Sequence, residues 1–371
     1  MKSLRRIAII GGGPGGLMLA RLLQCRDMAA TVFERDAHAG ERSQGGSLDL
    51  HPDTGQRAMR LAGLEKTFLA VARPEDQGDR LYDQDGQLLF DRDGAGDNRP
   101  EVDRTALRQL LLDALAPGTV RWGNRIQSIE PAEFGYRIVA NDISEHFDLV
   151  VGADGARSRV RALLSNVGPA YEGATMVELG FSTAEHPHVD ALVGRGKMFA
   201  VGDNRVLIAQ RNGLGHIRGY AGLRLPEVVA RKWLEASVGT RRAHMQDAFA
   251  GWVPSLTHML DVGEILGVRP LYALPIGYRW SSRPGMTLLG DAAHVMSPFS
   301  GEGVNLALAD AADLADALVR RSSWKAVEAY EETIAARAAI AAAGAAEGLA
   351  TTLSSAGVAA VLEHYRDRSP T

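Results

Sequence analysis

The stretch that decides the fold is RIAIIGGGPGGLMLARLL, residues 6–23. A short isoleucine-rich run, suited to a buried parallel strand, leads directly into a cluster of glycines. Apolar residues then recur at helical spacing. Residues 31–34, TVFE, read as a second strand that ends in an acid. The order strand, turn, helix, strand predicts a β-turn-α-β unit.

Three of these glycines have the spacing G-x-G-x-x-G: Gly11, Gly13 and Gly16. The first allows a tight turn, the second lets backbone approach a pyrophosphate, and the third lets helix and strand pack closely. The N–H groups at the helix start attract the phosphates. Glu34 can accept hydrogen bonds from ribose hydroxyls and disfavours a 2′-phosphate. The unit therefore predicts a bound dinucleotide, FAD or NAD rather than NADP.

The composition is that of an ordinary globular protein, with 371 residues, 46% of them apolar, and a net charge of -4. One domain usually takes roughly 100–200 residues, so two domains are expected. The charge balance gives no reason to expect nucleic acid as a partner. The single cysteine, Cys25, excludes a disulfide framework, and its helical context predicts burial. No run reaches about 18 apolar residues, so we expect no integral membrane association. We expect a soluble, cytoplasmic enzyme that is a monomer.

Two later segments also end apolar runs in glycine and aspartate. DLVVGADGARSRVR, residues 148–161, carries Asp154 before a basic helix, although a plain turn with solvated arginines fits this segment equally well. GDAAHVMSPFSGEGVN, residues 290–305, places Asp291 where it can accept a hydrogen bond from a ribityl hydroxyl. Pro298 and Phe299 can lie against a flat ring. The helix that follows would direct its positive end at the pyrimidine edge of a flavin.

The order of these patterns predicts an α/β protein with a Rossmann-like FAD-binding domain that is interrupted by a second domain. Residues 1–167 and 276–322 form the discontinuous FAD-binding domain. Residues 168–275 alternate with a period of two, which predicts a mixed or antiparallel sheet for substrate binding. Residues 323–371 form a C-terminal helical segment with a break at Gly344.

The three segments, in this order, resemble the fingerprints of the class A, or single-component, FAD-dependent aromatic hydroxylases. Residues 41–64 and 99–115 resemble more narrowly the tetracycline-inactivating flavin monooxygenases. By this resemblance Glu34 and Arg35 hold the adenosine side, Asp49 and Arg104 contact FAD, and Arg42 contacts NADPH. The full predicted cofactor set is Gly11, Gly13, Gly15, Gly16, Glu34, Arg35, Arg42, Asp49, Arg104, Asp154, Gly290, Asp291, Pro298, Gly301, Gly303, Val304 and Asn305.

The resemblance also implies an activity, in which NADPH or NADH reduces FAD and O2 then gives a flavin C4a-hydroperoxide. This species hydroxylates an aromatic or polyketide-like small molecule. Tetracycline is one candidate, and its turnover would give antibiotic resistance. The flavin carries the chemistry, so no catalytic side chain or metal is expected.

The predicted substrate residues are His51, Arg205, Arg218, Tyr220 and Phe299. Of these, Arg205 matches an arginine in the pocket sheet of the tetracycline-inactivating enzymes. Two alternative functions stay open: an FAD-dependent reductase of a carbon–carbon double bond, and a flavoprotein that sequesters an aromatic drug without turnover.

Overall fold

A computed structural model describes residues 6–41, 45–141, 143–319 and 324–367. The strands are β1 (Ile7–Ile10), β2 (Ala30–Phe33), β3 (Ser47–Asp49), β4 (Gly78–Asp83), β5 (Leu88–Arg92), β6 (Glu101–Asp103), β7 (Val120–Arg121), β8 (Ile126–Pro131), β9 (Tyr136–Ala140), β10 (Ile143–Phe147), β11 (Leu149–Gly152), β12 (Ala170–Ser182), β13 (Gly196–Gly202), β14 (Arg205–Arg211), β15 (His216–Arg224), β16 (Glu264–Ala273) and β17 (Met286–Leu288). The helices are α1 (Pro14–Gln24), α2 (Gly55–Leu61), α3 (Glu65–Leu69), α4 (Arg104–Asp113), α5 (Arg159–Leu164), α6 (Pro187–Val193), α7 (Glu227–Glu235), α8 (Val238–Ala248), α9 (Pro254–Val262), α10 (Asp291–His294), α11 (Gly303–Val319), α12 (Lys325–Thr352) and α13 (Val358–Asp367).

A parallel sheet of five strands, in the order β17-β11-β1-β2-β7, forms the centre of the first domain. Every residue of β1 and β11 is buried, as expected for strands covered on both faces. The predicted strands at the start of the chain and before the two later segments are confirmed. Because parallel strands end at the same sheet edge, the segments that follow β1, β11 and β17 meet there. Two smaller sheets, β10-β9-β8 and β3-β6, complete this part of the structure.

A second sheet has the order β16-β12-β15-β14-β13-β4-β5. It is mixed, as predicted, because β13 pairs with β4 in parallel and the other pairs are antiparallel. The strands β4 and β5 lie within residues 1–167, so this sheet draws on more of the chain than residues 168–275. Pairing with β13 lets β4 bury Leu81 on one face and Tyr82 on the other.

In its described part, the C-terminal segment consists of two helices: α12 packs along α11 and β17 of the first domain, and its last turn and α13 pack against the second sheet. The predicted break at Gly344 is wrong, because α12 continues through it to Thr352. Buried Ala345 and Leu349 follow this glycine, and their packing against the rest of the molecule offsets its low helix propensity. The helix ends instead before Gly357, whose φ of 63° is unfavourable for other residues. None of the helices described, the long α12 included, is both apolar and long enough to cross a membrane.

Cys25 directly follows the last residue of α1 and is exposed, so its predicted burial is wrong. The apolar face of α1 is completed by Leu19, Leu22 and Leu23, which are buried. Cys25 therefore lies past the end of the face that packs against the sheet.

Candidate functional site

The turn between β1 and α1 is built on glycines that have different neighbours. Gly11 has a φ of 109°, and a Cβ there would lie 2.3 Å from the carbonyl oxygen of Ala153. A Cβ at Gly16 would lie 2.2 Å from the Gly11 oxygen. At Gly13, the N-cap of α1, a Cβ would meet no atom within 4 Å. Packing therefore requires Gly11 and Gly16, whereas the space at Gly13 is open for a ligand.

Glu34 is buried at the end of β2 and lies against this turn. Its Oε2 accepts a hydrogen bond of 2.7 Å from the Gly12 N–H, and its Oε1 accepts one of 3.0 Å from the Asp36 N–H. These bonds fix the carboxylate beside the N-terminus of α1, where a ribose attached to a pyrophosphate would lie.

The sequence patterns did not single out Arg108, which supports this turn from α4. Its Nε donates to the Gly12 carbonyl over 3.1 Å and its Nη1 to the Ala39 carbonyl over 2.8 Å. The guanidinium lies 4.0 Å from the Glu34 carboxylate and is almost fully buried. Helical spacing offered a signal, because Arg108 follows the predicted Arg104 by four residues and so shares its helix face.

The other arginines predicted at the cofactor have different environments. Arg35 is exposed, with its Nε 4.0 Å from Asp36. Arg104 is partly buried, with its Nε near Gly45 and its charge near Tyr220. Arg42 lies outside the described residues. The contacts of these three side chains with a cofactor stay predictions.

The second segment turns its aspartate toward its own helix. Asp154 accepts hydrogen bonds from the Ser158 hydroxyl and from the Arg159 N–H, the latter over 2.7 Å. Burial raises the pKa of Asp154, while these bonds oppose the rise. The carboxylate therefore caps the start of α5, and its predicted contact with the cofactor stays a prediction.

The third segment is held by a buried aspartate that the sequence patterns missed. Asp310 on α11 accepts hydrogen bonds from the Gly290 N–H over 2.9 Å and, with its other oxygen, from Arg337 over 2.8 Å. The His294 ring lies 2.6 Å from the same carboxylate. Burial opposes the charge on Asp310, but these partners outweigh it and lower its pKa. Asp291, next to Gly290, is exposed beside this network and remains available to a ligand.

Contacts between the three segments bring them to one place. Gly11 approaches Ala153 as described, and a Cβ at Gly15 would lie 2.8 Å from the Leu289 side chain. Arg161 of the second segment donates to the carbonyls of Asp291 over 3.3 Å and of Ala292 over 3.0 Å. The expected convergence of the three segments is therefore present in the fold.

The loop from Pro298 to Gly303 leads into α11 and contacts β3. Gly301 adopts the left-handed conformation, with a φ of 67°, and a Cβ at Gly303 would meet no atom within 4 Å. Fully buried Asn305 bonds the backbone on both sides of Leu50. His51, predicted as a substrate residue, lies between the carboxylates of Asp49 and Glu302.

These features fit FAD, which needs room for phosphates and for a flat ring. The open spaces at Gly13 and Gly303 are positions that a Cβ would partly fill. Each lies at the start of a helix, α1 or α11, whose free N–H groups favour negative charge. The residues that would hold FAD are thus those of the two helix starts, with Glu34 and Asp291 beside them.

The second sheet presents one aromatic row and one polar row on the same face. The aromatic row consists of Phe199, Ile208 and Tyr220, which are directly opposite one another on the adjacent strands β13, β14 and β15. Each of these strands carries a polar residue two positions further along: Lys197, Gln210 and Arg218. These three are also directly opposite one another, and we call them the polar row. Phe299 packs in the cluster that contains the aromatic row, so the structure brings it together with Tyr220.

Arg205 does not join the other predicted substrate residues. Side chains alternate between the two faces of a strand. Arg205 and Ile208 are separated by an odd number of positions on β14, so Arg205 lies on the face opposite to Ile208. It lies at the start of β14 with its Nη1 3.1 Å from Asp203. Arg218, in contrast, is on the face that carries the aromatic and polar rows, 3.2 Å from the Glu178 carboxylate.

A group of buried charges lies where the polar row meets β3 and β6. The Nζ of Lys197 is 3.4 Å from Asp79, and Gln210 donates to Glu101 over 2.9 Å. Burial raises the pKa of Glu101 to about 7, with Asp49 adding to the rise and Lys197 opposing it. The sequence patterns missed Lys197 and Glu101, because these residues are on strands of different sheets, β13 and β6, and their charges interact only once the two sheets pack together.

Replacing Glu101 by glutamine is expected to change the pH dependence of stability. The carboxyl has a pKa near 4.5 when unfolded and about 7 when folded, so the folded state binds more protons between these values. The free energy of unfolding therefore falls as pH rises from about 4.5 to 7, by up to about 3 kcal/mol. Urea unfolding at pH 5 and pH 8 should show that Glu101→Gln gains stability over the wild type only at pH 8.

Glu133→Gln is the control variant, because Glu133 is an exposed glutamate outside this group of charges. An equal stability difference between Glu101→Gln and the wild type at both pH values would contradict the raised pKa.

The fold and the converging segments define an FAD-binding protein. Its family and the relatives named below make it an FAD-dependent monooxygenase of the aromatic hydroxylase kind. The chain belongs to the family described as FAD binding domain, whose model matches residues 5–201 and 279–347. FAD is therefore its cofactor, and the predicted resemblance to class A flavin monooxygenases is confirmed.

Curated relatives are similar over most of the chain. Monooxygenase asqM of Emericella nidulans is 34% identical and covers 85% of this chain and 84% of its own length. The 3-amino-4-hydroxybenzoate 2-monooxygenase PtmB3 of Streptomyces platensis is 32% identical and covers 84% of this chain and 79% of its own length.

Solved structures share the fold. HpxO of Klebsiella pneumoniae, complexed with FAD and uric acid, has a TM-score of 0.81 at 21% identity and covers 98% of this chain and 92% of its own. Tetracycline destructase Tet(51) has a TM-score of 0.71 at 18% identity and covers 92% of this chain and 89% of its own.

Proposed function

We propose that this monooxygenase uses NADPH or NADH and O2 to hydroxylate an aromatic or polyketide-like small molecule. The observation that carries the proposal is the aromatic row of the second sheet, which lies beside the loop that enters α11. Phe299 of that loop packs in the same cluster as Phe199 and Tyr220. A flat substrate held against these rings would lie next to the flavin.

Bound FAD would supply the redox chemistry, which is hydride acceptance from NAD(P)H and transfer of one atom of O2 to the substrate while the other is reduced to water. The residues of this chain bind and orient the substrate and exclude water. Leu349 of α12 and Val361 of α13 are buried against the sheet and keep this region apolar. Exclusion of water favours oxygen transfer over the release of hydrogen peroxide.

The polar row favours a ring that carries hydroxyl, amino or carbonyl substituents. Gln210 can donate and accept hydrogen bonds, while Lys197 and Arg218 donate only. PtmB3, by its name, acts on an aminohydroxybenzoate, which has substituents of this kind. Tetracycline has them too and remains one candidate, although the likeness to Tet(51) extends only to the fold.

The test is NADPH consumption by the purified yellow protein against a panel of aminophenols, hydroxybenzoates and tetracyclines. A substrate should stimulate NADPH oxidation and O2 uptake, and mass spectrometry should show the gain of one oxygen atom. Substrate reduction without O2 uptake would favour the double-bond reductase. Tight binding without NADPH oxidation would favour a sequestering flavoprotein.

Two adjacent residues on β13 provide a matched pair of variants. Phe199 is on the aromatic row, whereas Met198 is buried on the opposite face. Both are changed to leucine, and Met198→Leu, which conserves side-chain volume, should cost less than about 1.5 kcal/mol of stability. Only Phe199→Leu should raise the KM for the substrate, by about 3- to 10-fold. Equal effects of both variants on KM would remove the aromatic row from the substrate site.

A further inference from the structure

His51 connects two segments that are 250 residues apart and that both adjoin the proposed flavin position. Its Nε2 lies 3.1 Å from the Oδ2 of Asp49, and its Nδ1 lies 3.4 Å from the Oε1 of Glu302. The Asn305 amide accepts the His51 N–H over 2.8 Å and donates to the Asp49 carbonyl over 2.9 Å. We call Asp49, His51, Glu302 and Asn305 the clasp; it joins the end of β3 to the first turn of α11.

The clasp requires a charged imidazole. Each ring nitrogen faces a carboxylate, which only accepts hydrogen bonds, so both nitrogens must carry protons. Burial opposes the charge, but hydrogen bonds and charge attraction from Asp49 and Glu302 outweigh it and raise the pKa of His51 to about 9. His51 is therefore a cation at neutral pH.

Two further charged groups face the clasp through Asp49. Burial opposes the charge on Asp49, but the His51 hydrogen bond and the charge of Lys197 outweigh it and lower its pKa. Buried Glu101 is on the strand opposite. Glu302 faces His51 on the other side. The charge of His51 thus offsets two carboxylates, one of which, Asp49, has its Oδ1 3.8 Å from the position of a Cβ on Gly301.

We propose that the His51 imidazolium is a positioning residue for the flavin: it fixes the entry of α11 against β3 and neutralises two carboxylates that would otherwise oppose negative charge on the reduced flavin. The inference rests on the proposed position of FAD at Gly301–Asn305. The start of α11 favours negative charge through its free N–H groups, and unpaired carboxylates at Asp49 and Glu302 would cancel this effect.

The proposal gives opposite expectations for two variants of the clasp. His51→Gln removes a positive charge near the flavin, disfavours the reduced anion and should lower the midpoint potential of bound FAD. Glu302→Gln removes a negative charge and should raise it. The double variant should return toward the wild-type potential. His51→Gln should also weaken FAD binding roughly tenfold or more, because the charge-assisted hydrogen bond from His51 to Asp49 no longer fixes the entry of α11 in the position that binds FAD.

The experiment measures the midpoint potential of each FAD-loaded variant against reference dyes, together with FAD dissociation constants by fluorescence. His258→Gln is the control, since this half-exposed histidine on α9 has no place in the clasp. The potential difference between the wild type and His51→Gln should shrink as pH rises through about 9, where His51 loses its proton. A purely structural role predicts weaker FAD binding in both single variants and no potential shifts of opposite sign.

Potential shifts of the same sign, or none, would overturn the proposal for His51. They would leave the proposed function intact if the protein is yellow and turns over a substrate. A wild-type protein that binds FAD but oxidises no substrate would instead contradict the proposed function, and the potentials would still decide the role of the clasp.

Discussion

Replacing Asp310 by asparagine is expected to lower the free energy of unfolding by about 3–5 kcal/mol, because it leaves the buried His294 and the partly buried Arg337 without this counter-charge. Asp310 is fully buried, His294 is nearly so, and Arg337 contacts the same carboxylate. The pKa of His294 is raised, mainly because the Asp310 charge outweighs the effect of burial. Asparagine has the same shape, so the lost charge and its hydrogen bonds account for the loss.

Asp310→Asn should also weaken FAD binding, since Asp310 fixes the Gly290 N–H beside Asp291. Urea unfolding of the FAD-free protein and titration with FAD measure the two effects separately. Asp313→Asn is the control, because Asp313 also contacts Arg337 over 2.8 Å but is partly exposed. Asp313→Asn should lower the free energy of unfolding by less than about 1 kcal/mol. Equal losses for the two variants would contradict the central place of Asp310 in this network.

The substitutions Gly16→Ala and Gly13→Ala are expected to impair different properties, the first the stability of the protein and the second its binding of FAD. A Cβ at Gly16 would lie 2.2 Å from the Gly11 oxygen and 3.2 Å from side chains of Ile9 and Ala153. The helix must then move away from β1, at a cost of about 1–3 kcal/mol or more. Gly13 has φ of -79° and ψ of 174°, which alanine adopts readily, and its Cβ would meet nothing in the protein.

Gly13→Ala should therefore keep the stability of the FAD-free protein within about 0.5 kcal/mol. It should weaken FAD binding by roughly tenfold or more, because the methyl group enters the space through which backbone approaches the pyrophosphate. Thermal unfolding of the FAD-free proteins and fluorescence titration with FAD provide the two readouts. Unchanged FAD affinity in Gly13→Ala would mean that the pyrophosphate does not lie at this turn.

The cofactor segments could be predicted from the sequence because their requirements are local. Gly11 needs a positive φ and Gly16 needs the absence of a side chain, whatever the rest of the chain does. Glu34 follows a strand whose length and position are evident from its apolar run. Each requirement involves only residues that are close in sequence, so it is visible as particular residue types at short spacings. Three short stretches were therefore sufficient to predict FAD binding.

The residues that support these segments could not be predicted in the same way. Asp310 and Arg108 are ordinary polar residues on helices, and their value comes from partners that are distant in sequence. The grouping of Arg205 with Arg218 depended on which face of β14 turns toward the substrate. A shift by one residue reverses that face, and no local pattern in GDNRVLIAQ fixes it.

By itself, the sequence determined that this chain builds a parallel sheet with an FAD-binding turn, a second sheet of alternating strands and a helical C-terminus. The physical reason is that backbone geometry and the period of apolar residues are encoded within short stretches. Only the tertiary structure decided that β4 and β5 join the second sheet and that the charge of Lys197 lies near Glu101. It also decided that His51 is held between Asp49 and Glu302. These arrangements arise from strand register and helix packing, which bring charges together only once the whole chain has folded.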